Sequence, residues 1–75
     1  MDLNEFKQIV ELAGLGEVKH RERLSIYTAC SPCGFEYCEY NYISREWLYG
    51  SRGVEGYGKT FGEASEQCYQ NQEKG

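Results

Sequence analysis

Proline, histidine, aspartate and tryptophan occur once each in the 75 residues. The lone histidine, His20, sits in a charged stretch far along the chain from any nucleophile. No Ser-His-Asp arrangement can be assembled around it, and an enzyme is not expected. The lone aspartate, Asp2, leaves no apolar strand ending in the acidic residue that an NTPase uses on its metal ion. No apolar run approaches the ~20 residues of a membrane span. Basic residues are few: eight Lys and Arg against twelve Asp and Glu give a formal charge of −4. Polyanion binding runs on Lys and Arg contacts to phosphates, so this balance disfavours it. The first residues, MDLNEFKQIVELAGL, are acidic and amphipathic, the opposite of a secretory signal. The expected location is therefore the cytoplasm, with Cys30, Cys33, Cys38 and Cys68 reduced rather than bridged. A chain of this length is one domain over 1–75, and a domain near this size buries only ~60% of its unfolded surface.

What is present reads as an α+β fold. Leu3, Phe6, Ile9, Val10 and Ala13 recur at helical spacing, with Asp2 or Asn4 as a cap and Gly14 and Gly16 as a stop. This predicts a helix over 2–13. Residues 17–23, EVKHRER, are charged and aperiodic and read as a connector. LSIYTAC at 24–30 alternates as a strand rich in β-formers. Ser31-Pro32-Cys33-Gly34 has a type I turn signature. A long strand follows over Phe35–Ile43, continued in extended form over Arg45–Tyr49. Gly50-Ser51-Arg52-Gly53 makes another turn, and Val54–Gly58 a short last strand. Thr60-Phe61-Gly62-Glu63 is a capping box, in which Thr60 accepts from the Glu63 amide and Glu63 reaches back to the Thr60 amide. It opens a helix over 60–71 with Phe61, Ala64 and Cys68 on one face. The expectation is an N-terminal helix, a three- to four-stranded antiparallel sheet within 24–58, and a C-terminal helix packed on one sheet face. The other sheet face then meets solvent or a partner, and an exposed sheet edge allows a homodimer.

Three local patterns suggest chemistry. Cys30-x2-Cys33-x4-Cys38 has knuckle spacing, and Cys68 or His20 would complete a zinc site, but no second CxxC or CxxH closes it. Without metal, the cysteines are core filler and turn residues. Lys19, Arg21 and Arg23, next to His20, form the one basic stretch and are the residues a nucleic-acid-binding module would use. GVEGYGKT at 53–60 matches a phosphate-loop pattern, but that loop belongs in a parallel βαβ unit for which this chain has no room. Glu36 and Glu39 fall on opposite faces of one strand, so they do not form a catalytic carboxylate pair.

The strongest remaining signal is an acidic, aromatic middle: Glu36, Tyr37, Glu39, Tyr40 and Tyr42, then Glu46, Trp47 and Tyr49. Tyr and Trp dominate binding hot spots, and carboxylates around them select a basic partner. One strand face must turn inward. Either Phe35, Tyr37 and Ile43 or Cys38, Tyr40 and Tyr42 meet the helices, and each set leaves tyrosine on the other side.

Two resemblances follow from these residues. The element order is similar to that of double-stranded RNA-binding domains, although the segment 58–63 carries one lysine where that family has a basic helix start. The stretch Gly56-Tyr57-Gly58-Lys59-Thr60-Phe61-Gly62-Glu63-Ala64 resembles the strand-to-helix join of small phage and mobile-element accessory proteins and of HicB-like antitoxins. That second resemblance implies a non-catalytic inhibitor of the anti-CRISPR type, binding a host protein that handles nucleic acid. The resemblance carries no residue roles; the acidic, aromatic pattern of the strands supplies the expected contact residues Glu36, Tyr37, Glu39, Tyr40, Tyr42, Glu46, Trp47 and Tyr49, with no cofactor, no membrane and no direct nucleic-acid contact expected.

Overall fold

The structure, a computed structural model, describes residues 1–74. Its elements are α1 (Leu3–Leu12), β1 (Gly16–Arg21), β2 (Ile26–Cys30), β3 (Glu36–Asn41), β4 (Glu46–Ser51), β5 (Val54–Gly58) and α2 (Phe61–Lys74). The strands form one antiparallel meander in the order β1-β2-β3-β4-β5, and both helices lie on the same face. The expected α+β architecture stands, with five strands in place of three or four.

Helix α1 starts where Asp2 accepts from the Glu5 amide at 2.9 Å. It ends in a Schellman motif: Gly14 at φ +79° donates to Glu11, and Leu15 donates to Val10 at 2.9 Å. Leu15 is thereby buried beside Phe6 and Val10.

The segment read as a connector is strand β1, bound to β2 through Lys19↔Thr28, His20↔Tyr27 and Arg21↔Ile26. It is an edge strand, wet on most positions, so it lacks the apolar alternation by which strands are recognised. Leu24, expected in a strand, is exposed in the 3-10 turn Glu22–Leu24 that joins β1 to β2. The long middle strand is also divided. Asn41 ends β3 by accepting the amides of Ile43 and Ser44, each at 2.9 Å. This Asx turn folds β4 back on β3. Arg52 and Gly53, at φ +54° and +83°, make the two-residue turn into β5.

Helix α2 is capped by Thr60, which accepts from the Glu63 amide at 3.1 Å. Glu63 reaches one residue further back than expected, to the Lys59 amide at 2.9 Å. Ala64 and Cys68 are fully buried against β5. The approach is so close that a Cβ on Gly56 would collide with the Ala64 carbonyl and the Cys68 amide. That contact accounts for glycine within the strand.

The core beneath the helices is aromatic. Trp47 stacks on Phe6 at 5.5 Å, lies 4.9 Å from Tyr40 and meets Phe61 edge-on. Register places Tyr27, Tyr40 and Trp47 in one row and Ala29, Cys38 and Tyr49 in the next. The Cys38, Tyr40 and Tyr42 set therefore faces the helices. No helix among the described residues is long and apolar enough to cross a membrane.

Candidate functional site

The inward set removes part of the expected contact surface. Tyr40, Trp47 and Tyr49 are core residues, 6%, 3% and 3% exposed. Tyr49 donates to Glu36 at 2.9 Å, and its hydroxyl titrates well above the usual tyrosine range because of burial, with Tyr69 and Glu36 adding to the effect. Glu36 is thus anchored on the helix side. Tyr42 is half-buried against the core, with its hydroxyl 3.0 Å from His20 Nε2. Of the eight expected residues, Tyr37, Glu39 and Glu46 alternate onto the other face of the sheet.

That open face can be read from the register. Arg21, Ile26, Asn41 and Glu46 form one row across the strands. Lys19, Thr28, Glu39, Leu48 and Tyr57 form the next, and Cys30, Tyr37, Gly50 and Glu55 the third. Cations therefore lie on β1, and three carboxylates lie on β3, β4 and β5. Tyr37 crosses β4 over Gly50, where a Cβ would strike its ring, and donates to Glu55 at 2.7 Å. That bond, with burial, pushes the Tyr37 hydroxyl up to about 12. Tyr57 is 54% exposed. Leu48, Glu55 and Tyr57 were missing from the sequence expectation. Their signal was the alternation of Glu55 and Tyr57 with Gly56 and Gly58, because glycines under a helix put the intervening side chains on the far face.

Two shallow depressions flank Glu39. One, about 190 Å³, runs over Glu17, Lys19, Arg21, Thr28, Cys30 and Tyr37. The other, about 210 Å³, lies between Ile26, Glu39, Glu46, Leu48 and Tyr57.

The four cysteines of the zinc alternative are spread over the fold. Cys38 on β3 is buried under the helices and Cys68 is buried on α2 against β5, Cys30 is on the open face donating to Glu17 at 3.3 Å, and Cys33 is exposed in the β2–β3 turn. Among the described residues no three His, Cys, Asp or Glu side chains come together as a metal site would require, so the zinc set Cys30, Cys33, Cys38 and Cys68 is not formed. Burial lifts the Cys38 thiol to about 12, and the bond to Glu17 lifts Cys30. Cys33 moves the other way, because Ser31 at 3.3 Å and the Phe35 backbone hydrogen-bond its thiolate. The phosphate-loop match fails for a local reason: Glu63 and Thr60 already take the amides of Lys59 and Glu63 at the start of α2. Lys19 and Arg21 share the open face with Glu39 and Glu46, while Arg21 and Arg23 border a depression at the β1–β2 turn with His20, Glu22 and Leu24.

The β5 edge is occupied. Gln67 accepts from the Tyr57 amide at 2.6 Å, and Asn71 donates to the Glu55 carbonyl at 2.9 Å. Pairing of a second chain there would first have to displace both side chains of α2.

No protein-family model matches this sequence, and comparison with curated proteins and with solved structures gives no match. The functional reading therefore rests on this chain's own surface.

Proposed function

We propose that this protein is a non-catalytic binding module whose open sheet face covers a basic, nucleic-acid-handling surface of a partner protein. The observation that supports this most is the uncovered half of β3–β5, where Glu39, Glu46 and Glu55 are interleaved with Tyr37, Leu48 and Tyr57. The three carboxylates fall in three successive rows on three neighbouring strands, so each backbone is ~8–14 Å from the others at the usual strand spacing and rise. The tyrosines add stiff contact area with a polar tip, and the carboxylates steer a cationic surface and fix its register. Covering such a surface would block its access to phosphates. An inhibitor of the anti-CRISPR type is one protein that would work this way.

The test is capture from a cell lysate at low and high salt with three forms of the protein: wild type, E39Q/E46Q/E55Q, and a control E66Q/E73Q on α2. The reading expects one stoichiometric nucleic-acid-handling protein, captured by wild type and by the control, lost from the open-face variant, and released by competing duplex DNA or RNA. Equal capture by the open-face variant, with loss from the α2 control, would overturn it.

A further inference from the structure

Resting on that reading, we infer that the depression between β3 and β5 is the seat of a single arginine side chain from the partner. Glu39 and Leu48 are directly opposite, Leu48 and Tyr57 are directly opposite, and Asn41 is opposite Glu46. Reading outward from β3, the face thus presents a carboxylate, an aliphatic side chain and an aromatic ring in one row. A second carboxylate, Glu46, lies diagonal to the first. Diagonal neighbours on one sheet face are ~7–8 Å apart, a span that a flat guanidinium with donors on several edges can bridge. The open depression they line, about 210 Å³, is bordered also by Ile26 of β2, with Tyr57 on its β5 side.

The local hydrogen bonding leaves this pair available. Glu55 accepts from Tyr37, Glu36 from Tyr49 and Glu17 from Cys30. Among the described residues no side chain hydrogen-bonds the carboxylate of Glu39 or Glu46. Asn41 directs its Oδ1 into the turn amides of Ile43 and Ser44, which fixes the end of the depression beside Glu46. Lys19 and Arg21 border the neighbouring depression, on the other side of Glu39. Lys19 is two strands from Glu39 and Arg21 three strands from Glu46, so ~10 and ~14 Å separate the backbones at the usual strand spacing. Lys19 is the nearer rival for the seat.

The chemistry selects arginine over lysine. A guanidinium presents a planar fork to two carboxylates and stacks on the Tyr57 ring, while its stem covers Leu48 and Ile26. An ammonium is a compact, strongly hydrated point charge that satisfies one carboxylate at a time.

The experiment is a ¹H–¹⁵N NMR titration with three capped tripeptides, Gly-Arg-Gly, Gly-Lys-Gly and Gly-citrulline-Gly, the last a neutral isostere of arginine. The arginine peptide is expected to shift the amides of Glu39, Glu46, Leu48 and Tyr57 and to bind about tenfold more tightly than the lysine peptide, with citrulline causing no shift. E46Q, at an exposed position, is expected to weaken the arginine peptide about fivefold or more, K19Q to leave it unchanged or tighter, and E66Q to leave it unchanged. Equal binding of the arginine and lysine peptides overturns the seat, as does binding insensitive to E39Q/E46Q or shifts confined to α2. If the lysate partner is lost from E39Q/E46Q/E55Q while the arginine peptide leaves Glu39–Tyr57 unmoved, the seat is wrong and the binding face stands. If neither ligand touches the open face, both fail.

Discussion

Trp47 and Tyr57 are both large aromatics in neighbouring strands, and the structure gives them opposite roles. Trp47 is 3% exposed and packed by Phe6, Tyr40 and Phe61, whereas Tyr57 is 54% exposed on the open face. Truncating a buried Trp or Phe to Ala costs ~3–5 kcal/mol through lost burial and the cavity left behind. A domain of 75 residues has about 4–11 kcal/mol in all, at roughly 0.05–0.15 kcal/mol per residue. Trp47→Ala therefore removes roughly a quarter or more of the stability. At ~4–8 °C per kcal/mol it lowers the midpoint of thermal unfolding by at least ~12 °C. Tyr57→Ala changes stability by no more than about 1 kcal/mol, as surface substitutions do, and loses partner binding. Urea unfolding of both variants, followed by circular dichroism, measures the difference as a shift of midpoint at constant slope. A Trp47→Ala protein that melts with wild type, or a Tyr57→Ala protein that loses several kcal/mol, would show that the two sheet faces have been assigned the wrong way round.

Three further outcomes follow from single contacts. Gly56→Ala drives a methyl into the α2 backbone at Ala64 and Cys68, and the overpacking is expected to cost ~1–3 kcal/mol in urea unfolding. The Tyr37 hydroxyl is held protonated in the fold up to about 12, above the ~10 of an unfolded tyrosine. Its contribution is whole below pH 10 and is lost as pH rises from 10 through about 12, so stability falls across that window, and Tyr37→Phe makes the fall shallower. Buried Tyr49, shifted the same way, keeps part of the slope in that variant. In the folded protein a thiol reagent such as DTNB is expected to modify Cys33 fastest and Cys30 more slowly. Cys38 and Cys68 should react only on unfolding, and EDTA should leave all the rates unchanged.

Both helices were legible in the sequence because their signals are local. Asp2, the Gly14 stop and the Thr60–Glu63 box act within one turn, and the buried positions recur at helical spacing. Strand β1 was not legible, because an edge strand whose side chains are mostly wet has no need of apolar alternation. The break at Asn41 was missed for a different reason: the turn is made by an asparagine side chain and an Arg45 at φ +61°, with no glycine or proline to mark it. Which face was buried turned on a tertiary contact. Both tyrosine sets of β3 suit either side, and the deciding signal is two strands away, where Gly56 and Gly58 leave room for α2. The acidic, aromatic character of β3 and β4 was readable, but which of their residues face outward was not. Trp47, Tyr40 and Tyr49 went to the core, and Tyr57, Leu48 and Glu55 took their places outside.

The most direct test of the open face as the binding surface is carboxylate footprinting of the captured complex, with carbodiimide labelling read by mass spectrometry. The account predicts that Glu39, Glu46 and Glu55 are labelled in the free protein and protected in the complex, while Glu66 and Glu73 on α2 react equally in both. Protection of Glu66 and Glu73, with Glu39, Glu46 and Glu55 unchanged, would contradict it.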